Sequence, residues 1–174
     1  MLRPIPTAFS ASHLALRLLI NLNWVYGAAI LAGLIASLIA KVPVMSALGV
    51  IPSAETEPLI RGMRVIALLG LASIPLHYLI LRQLLDIIES IRGRDPFLGK
   101  NAFRLRTIAR ALLGIQLLSL VIDAIARVVS TPTHPLHLDA GFSIGGWLSV
   151  LLLFVLARVF DEGARMRDDL EGTV

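Results

Sequence analysis

The chain has 174 residues, of which 56% are apolar and 16% charged, with a formal net charge of +4 and no cysteine. A soluble domain carries roughly 45–50% apolar and about 25% charged residues, and one of this length could not hide the surplus behind a polar surface. The composition excludes an ordinary soluble fold. The missing thiols exclude disulfides, thiolate catalysis and cysteine-ligated metal sites.

In chain order, Arg3 and Arg17 flank the start of an apolar run that extends to Ala40. This run exceeds the ~7–15 residues of a signal-peptide core, and no A-x-A cleavage pattern follows it. It reads as a retained first span over residues 16–40. Small residues recur along it in two rows, Ala28, Ala32, Ala36 and Ala40 beside Ala29, Gly33 and Ser37. Such rows let helices approach closely in lipid, within one chain or between copies in a homo-oligomer. Residues 41–62, with Pro43, Pro52, Pro58, Glu55 and Glu57, read as an external loop. A second span covers residues 63–85, with His77 close to mid-membrane. Pro75 withdraws a donor from the Leu71 carbonyl, which predicts a kink and a spare acceptor there.

The middle connection, SIRGRDPFLGKNAFRLR, is strongly basic. Gly93 suits the end of the second helix, Asp95-Pro96 suits an N-cap followed by proline at the first helical position, and Asn101 offers another N-cap. Phe97 and Leu98 can dip toward lipid in a short interfacial turn. The basic side chains then either meet anionic headgroups or form a docking surface with Asp95, Pro96, Phe97, Asn101, Arg104 and Arg106.

The third span covers residues 108–129 and contains Gln116 and the i,i+4 pair Asp123 and Arg127. Ionisable groups inside a membrane are costly unless paired or wetted, so His77, Gln116, Asp123 and Arg127 are functional candidates by default. In the loop at residues 130–143, His134, His137 and Asp139 form a weak zinc or copper pattern, with no fourth ligand unless Glu55 or Glu57 joins. No bound metal and no cofactor are expected. The fourth span covers residues 144–160, and the tail at 161–174 carries Asp161, Glu162, Asp168, Asp169 and Glu171.

Each span is near the ~20 residues an α-helix needs to cross about 30 Å of hydrocarbon. The apolar runs lack the alternation of a membrane β-strand. The expected fold is all-α, a polytopic membrane protein built as one bundle of four transmembrane helices over residues 1–174, with short loops. Four spans place the N-terminus, the middle connection and the C-terminus on one side. That side holds Arg3, Arg17, Arg92, Arg94, Lys100, Arg104, Arg106, Arg165 and Arg167, against Lys41, Arg61, Arg64 and Arg127 opposite. The positive-inside rule makes it cytoplasmic, in the inner membrane of a bacterium.

The segment GRDPFLGKNAFRLR and the tail carry a resemblance. The chain resembles an uncharacterised bacterial four-span membrane family, the domain-of-unknown-function family twenty-nine seventy-five. That family has a Gly-Asp-Pro-Phe element, then Asn and a Leu-Arg pair, before its third helix; here Arg94 stands between the Gly and the Asp. Its tail has a Phe, a Gly and an acidic stretch ending in Val, matched by Phe160, Gly163, Asp168, Asp169 and Thr173-Val174. The resemblance implies an integral inner-membrane protein without an established activity. It also implies a helix-turn-helix transcription regulator as a partner, because such genes often lie together.

No phosphate loop, nucleophile elbow or His-Glu-x-x-His motif occurs, and the discontinuous spans of many transporters are missing. The expected function is a non-enzymatic regulatory or sensor subunit, without direct nucleic-acid contact. It would dock a cytoplasmic partner through the middle connection and the acidic residues Asp161, Asp168, Asp169 and Glu171. The alternative is a small transporter or channel component working as an oligomer, with His77, Gln116, Asp123 and Arg127 along its path. An intramembrane enzyme ranks last, since no nucleophile, base and orienting group fall at one depth.

Overall fold

The computed structural model describes residues 7–47, 49–50, 53, 56–92, 99–131, 136 and 141–171. Side chains are described at these positions except 7–10, 91–92, 99 and 167–171. The helices are α1 (Thr7–Ile39), α2 (Lys41–Ala47), α3 (Glu57–Arg92), α4 (Gly99–Val129) and α5 (Ile144–Glu171), and no strand occurs among the described residues. Four segments are long and apolar enough to cross a membrane: Ala11–Ile39, Glu57–Ser90, Lys100–Val129 and Ile144–Met166. Only 6–11% of their most apolar windows is buried, so their apolar side chains face outward as lipid-facing surface does. The chain is an all-α, multi-pass membrane protein.

Each long helix runs past its expected span, because backbone hydrogen bonding continues into the interface where side chains turn polar. The expected external loop also proves to be partly folded. Its first residues form α2, with Pro43 inside the first turn, where no intrahelical donor is lost. Gly49 at φ 77° donates to the Ser46 carbonyl at 3.0 Å, and Val50 donates to Met45 at 2.8 Å. This is the Schellman arrangement, which also brings the flanking apolar residues Val50 and Met45 together. Ahead of α3, Ser53 and Thr56 bond each other reciprocally at 2.8 and 3.3 Å, as in a capping box. Glu57 lies in the first turn of α3 and pairs with Lys41 and Arg61.

The chain divides into two compact units. The terminal unit comprises Met1–Leu22, Leu76–Gly114 and Ile144–Val174; the loop unit comprises Asn23–Pro75 and Ile115–Ser143. In the terminal unit, α4 carries a buried stripe at Asn101, Ala102, Leu105, Ile108 and Ala109, joined in burial by Leu85 of α3 and Ala157 of α5. In the loop unit, Met45, Val50, Leu59 and Ile60 form a buried cluster with Met63, Val129 and Leu136 packed on it.

The small-residue rows of α1 turn toward α3 only in their later part, at Ser37. In the loop unit, Gly27 packs on Ile74, Asn23 bonds the Ile74 carbonyl at 3.1 Å, and Ser37 is buried against Arg64. Ala28, Ala29, Ala32 and Gly33 stay exposed. Helices α3 and α4 pack closely at Gly62, where a Cβ would stand 2.6 Å from Val129 Cγ1. Gly62→Ala is therefore expected to destabilise the protein by about 1–3 kcal/mol, the usual cost of overpacking. Thermal unfolding in detergent checks this, with the Gly62→Ala, Val129→Ala double variant expected to recover most of the loss.

Candidate functional site

The polar groups of the terminal unit converge where α3 ends and α4 begins. Asn101 lies within the first turns of α4 and is 2% exposed, so it does not act as the expected N-cap. Helix α4 begins earlier, at Gly99, which turns the amide inward. Asn101 Nδ2 donates to Ser90 Oγ at 2.9 Å, and its Oδ1 accepts from Arg104 Nη1 at 2.9 Å. The same Arg104 nitrogen reaches the Asp86 carbonyl at 2.9 Å. Ser90 Oγ lies 2.7 Å from the Ile87 carbonyl, an acceptor on its own helix. One amide and one guanidinium thus join the last turns of α3 to the first turns of α4, away from lipid.

Two more ties complete the end of this unit. Arg106 Nη2 donates to Asp161 Oδ2 at 2.6 Å and links α4 to α5, with Arg165 approaching the same oxygen at 3.9 Å. His13 Nε2 lies 3.3 Å from Glu89 Oε1 and links α1 to α3. Arg82 and Asp86 pair along α3 at 3.5 Å. Lys100, Arg110, Arg158, Glu162 and Arg165 remain exposed around these ties. The arrangement holds charged groups of both signs on a braced framework. Charged groups held in this way can bind a partner of complementary charge.

Of the residues expected to form a docking surface, the structure brings Asn101 and Arg104 together, and Arg106 and Asp161 together, each within the protein's own contacts. Asp95, Pro96 and Phe97 lie outside the described residues. Asp168, Asp169 and Glu171 sit on the helical backbone of α5, but their side chains lie outside what is described. His134, His137 and Asp139 also lie outside the described residues. Within those residues, no group of three or more His, Cys, Asp or Glu side chains could hold a metal ion.

The intramembrane candidates separate. His77 is exposed on α3 in the terminal unit, whereas Gln116 is 7% exposed in the loop unit. Gln116 Nε2 points to the Ser143 carbonyl at 3.5 Å, a long contact. Asp123 accepts from Arg127 Nε at 2.9 Å, the pair read from their spacing. Asp123 also seats the following loop: Gly141 has φ 114°, and a Cβ there would stand 2.9 Å from the carboxylate.

Sequence reasoning missed Ser90, the His13–Glu89 contact and the bonding of Arg64 to Ser37. Ser90 and Asn101 are eleven positions apart, and only the packing of α3 on α4 makes them neighbours. The family model described as Protein of unknown function (DUF2975) matches residues 34–174. The chain belongs to this family. The match takes in the middle connection, the whole of α3, α4 and α5, and the tail. No curated protein and no solved structure matches the chain.

The two ties should differ in weight. Asn101→Ala removes a buried amide and leaves its partners short of bonds, an expected loss of about 1–3 kcal/mol. Arg106→Ala removes a pair whose side chains are 40% and 32% exposed, and solvent screening limits that loss to about 0.2–1 kcal/mol. Melting curves of both variants in one detergent test the order; an equal or reversed order contradicts the assignment of the amide as the main brace.

Proposed function

We propose that this protein is a non-enzymatic regulatory or sensor subunit of a bacterial inner membrane, and that it docks a cytoplasmic protein on the end carrying both termini. The observation that carries this reading is the course of α5. Its 28 residues extend about 42 Å at 1.5 Å per residue, against a hydrocarbon core of about 30 Å. A helical extension therefore continues past the membrane, through Asp161, Glu162, Asp168, Asp169 and Glu171. The Arg106–Asp161 bond braces its base against α4.

A braced helix presents its side chains at a lower entropy cost of binding than a loose tail. Its acidic residues fit a basic partner, and complementary charge gives such an encounter speed and specificity. A helix-turn-helix transcription regulator has the right chemistry, since a DNA-binding surface is basic. Membrane capture of that surface would keep it from DNA. The orientation rests on the positive-inside rule, with the basic middle connection and both termini in the cytoplasm.

The test uses the full chain, tagged and extracted gently from its own host, beside a truncation lacking residues 167–174. This truncation keeps Asp161 and its bond to Arg106, so helix packing is spared. A stoichiometric basic partner should co-purify with the full chain and fall at least about ten-fold with the truncation, a loss of roughly 1.4 kcal/mol. A clean preparation, or equal recovery from both forms, counts against docking. For orientation, alkaline phosphatase fused after Ser53 or Thr131 should be active, and fused after Lys100 or Glu171 inactive. The opposite pattern would overturn the cytoplasmic placement.

A further inference from the structure

The loop unit holds a cleft that the docking reading does not use. It measures about 590 Å³, inside the roughly 300–1,000 Å³ of small-molecule sites. Its walls come from Ile30 and Leu34 of α1, Val44 of α2, and Met63 and Ala67 of α3. Gly33 opens one side, since nothing lies within 4 Å of where its Cβ would stand. The polar side chains in the lining are Ser37 and Arg64. A second cleft of about 420 Å³ along α4, at Leu120, Val121, Ala124, Ile125, Val128 and Val129, has an entirely apolar lining, which gives it no means of selecting a headgroup.

Arg64 is held in place. Its Nη2 donates to the Ser37 carbonyl at 2.5 Å and its Nε to Ser37 Oγ at 3.3 Å. The carbonyl lies in the last turn of α1, where backbone acceptors lack intrahelical donors, and α1 has no basic residue of its own there. The guanidinium therefore takes the place of a C-terminal cap. The partial negative charge of a helix end is about half a unit and cannot balance a full positive charge. Among the described residues, no carboxylate pairs with Arg64. A half-buried cation held by two of its five N–H donors keeps the other three for an anion.

We propose that this cleft binds an anionic bilayer lipid, with the headgroup phosphate on Arg64 and one acyl chain lying past Gly33 between α1 and α3. Charge complementarity selects the headgroup, and the apolar walls take the chain. An alkyl chain is already the local solvent, so apolar contact alone gives little preference, and selectivity must come from Arg64. This assignment is independent of the docking reading.

Purified protein is placed in nanodiscs of equal phosphatidylglycerol and phosphatidylcholine, and native mass spectrometry reads the lipid retained on release. The wild type should keep one lipid, enriched about ten-fold for the anionic headgroup. Gly33→Leu fills the cleft where space is open and favours the helix over glycine, so it should keep its melting temperature and lose the lipid. Arg64→Gln should keep a lipid but lose the headgroup preference. Equal retention of the two lipids by the wild type overturns the proposal, as does a Gly33→Leu protein that retains lipid unchanged. A wild-type dimer that Gly33→Leu converts to monomer also overturns it, by assigning the cleft to a second copy. Because Gly33→Leu leaves Arg64 and its bonds intact, the test stands even if Arg64→Gln does not fold.

Discussion

Hydrocarbon offers a polar group no water, and lipid tails are as apolar as leucine, so helices in a membrane gain little by hiding apolar surface from each other. Their association rests on close packing and on polar groups satisfied between helices. The contacts of this protein follow that constraint closely. Asn23 reaches from α1 to the Ile74 carbonyl, Arg64 from α3 to the Ser37 carbonyl, and Arg104 from α4 to the Asp86 carbonyl. Each places a side-chain donor on backbone oxygen of another helix. A carbonyl carries two lone pairs, so one inside a helix, as at Ile74 and Asp86, can serve the helix and accept a second donor without breaking it. Each bond of this kind is worth about 0.6 kcal/mol on average in a bilayer, and what it mainly supplies is register.

The two units use the constraint differently. In the terminal unit, buried alanines at 102, 109 and 157 permit close approach, while the Asn101 network and the Arg106–Asp161 pair join α3, α4 and α5 in sequence. In the loop unit the main buried cluster is apolar, and it is built largely by α2 and the first turn of α3. There the ordinary hydrophobic effect can act, because these residues lie where water would otherwise reach them. The unit bearing the basic connection is thus braced by polar bonds, and the other by a small apolar core.

Arg64 and Arg104 are chemically alike and differ in surroundings. Arg104 shares its charge with the Asn101 amide and a neighbouring helix end amid other charged groups. Arg64 stands in an apolar cleft on a neutral serine. The same guanidinium is a brace in one setting and leaves charge to be answered in the other. His77 is exposed on α3, which its depth in the span did not reveal.

Span number, helical class and charge asymmetry were legible in the sequence, because length of apolar run and placement of arginine act locally and need no knowledge of neighbours. The Asp123–Arg127 pair was legible for the same reason, since a helix sets i,i+4 geometry by itself. Its tail and middle connection carried the family likeness, which the match over residues 34–174 bears out. Helix α2 was not legible, because three prolines and a glycine outweigh seven helical residues until the apolar cluster holds them. Nor was the direction of the small-residue rows, which depends on which face of α1 meets α3. Tertiary structure alone decided that Asn101 is buried rather than capping, that Ser37 receives Arg64, and that Gly33 opens a cleft. Each of those outcomes depends on where a second helix lies, and periodicity within one helix does not contain that information.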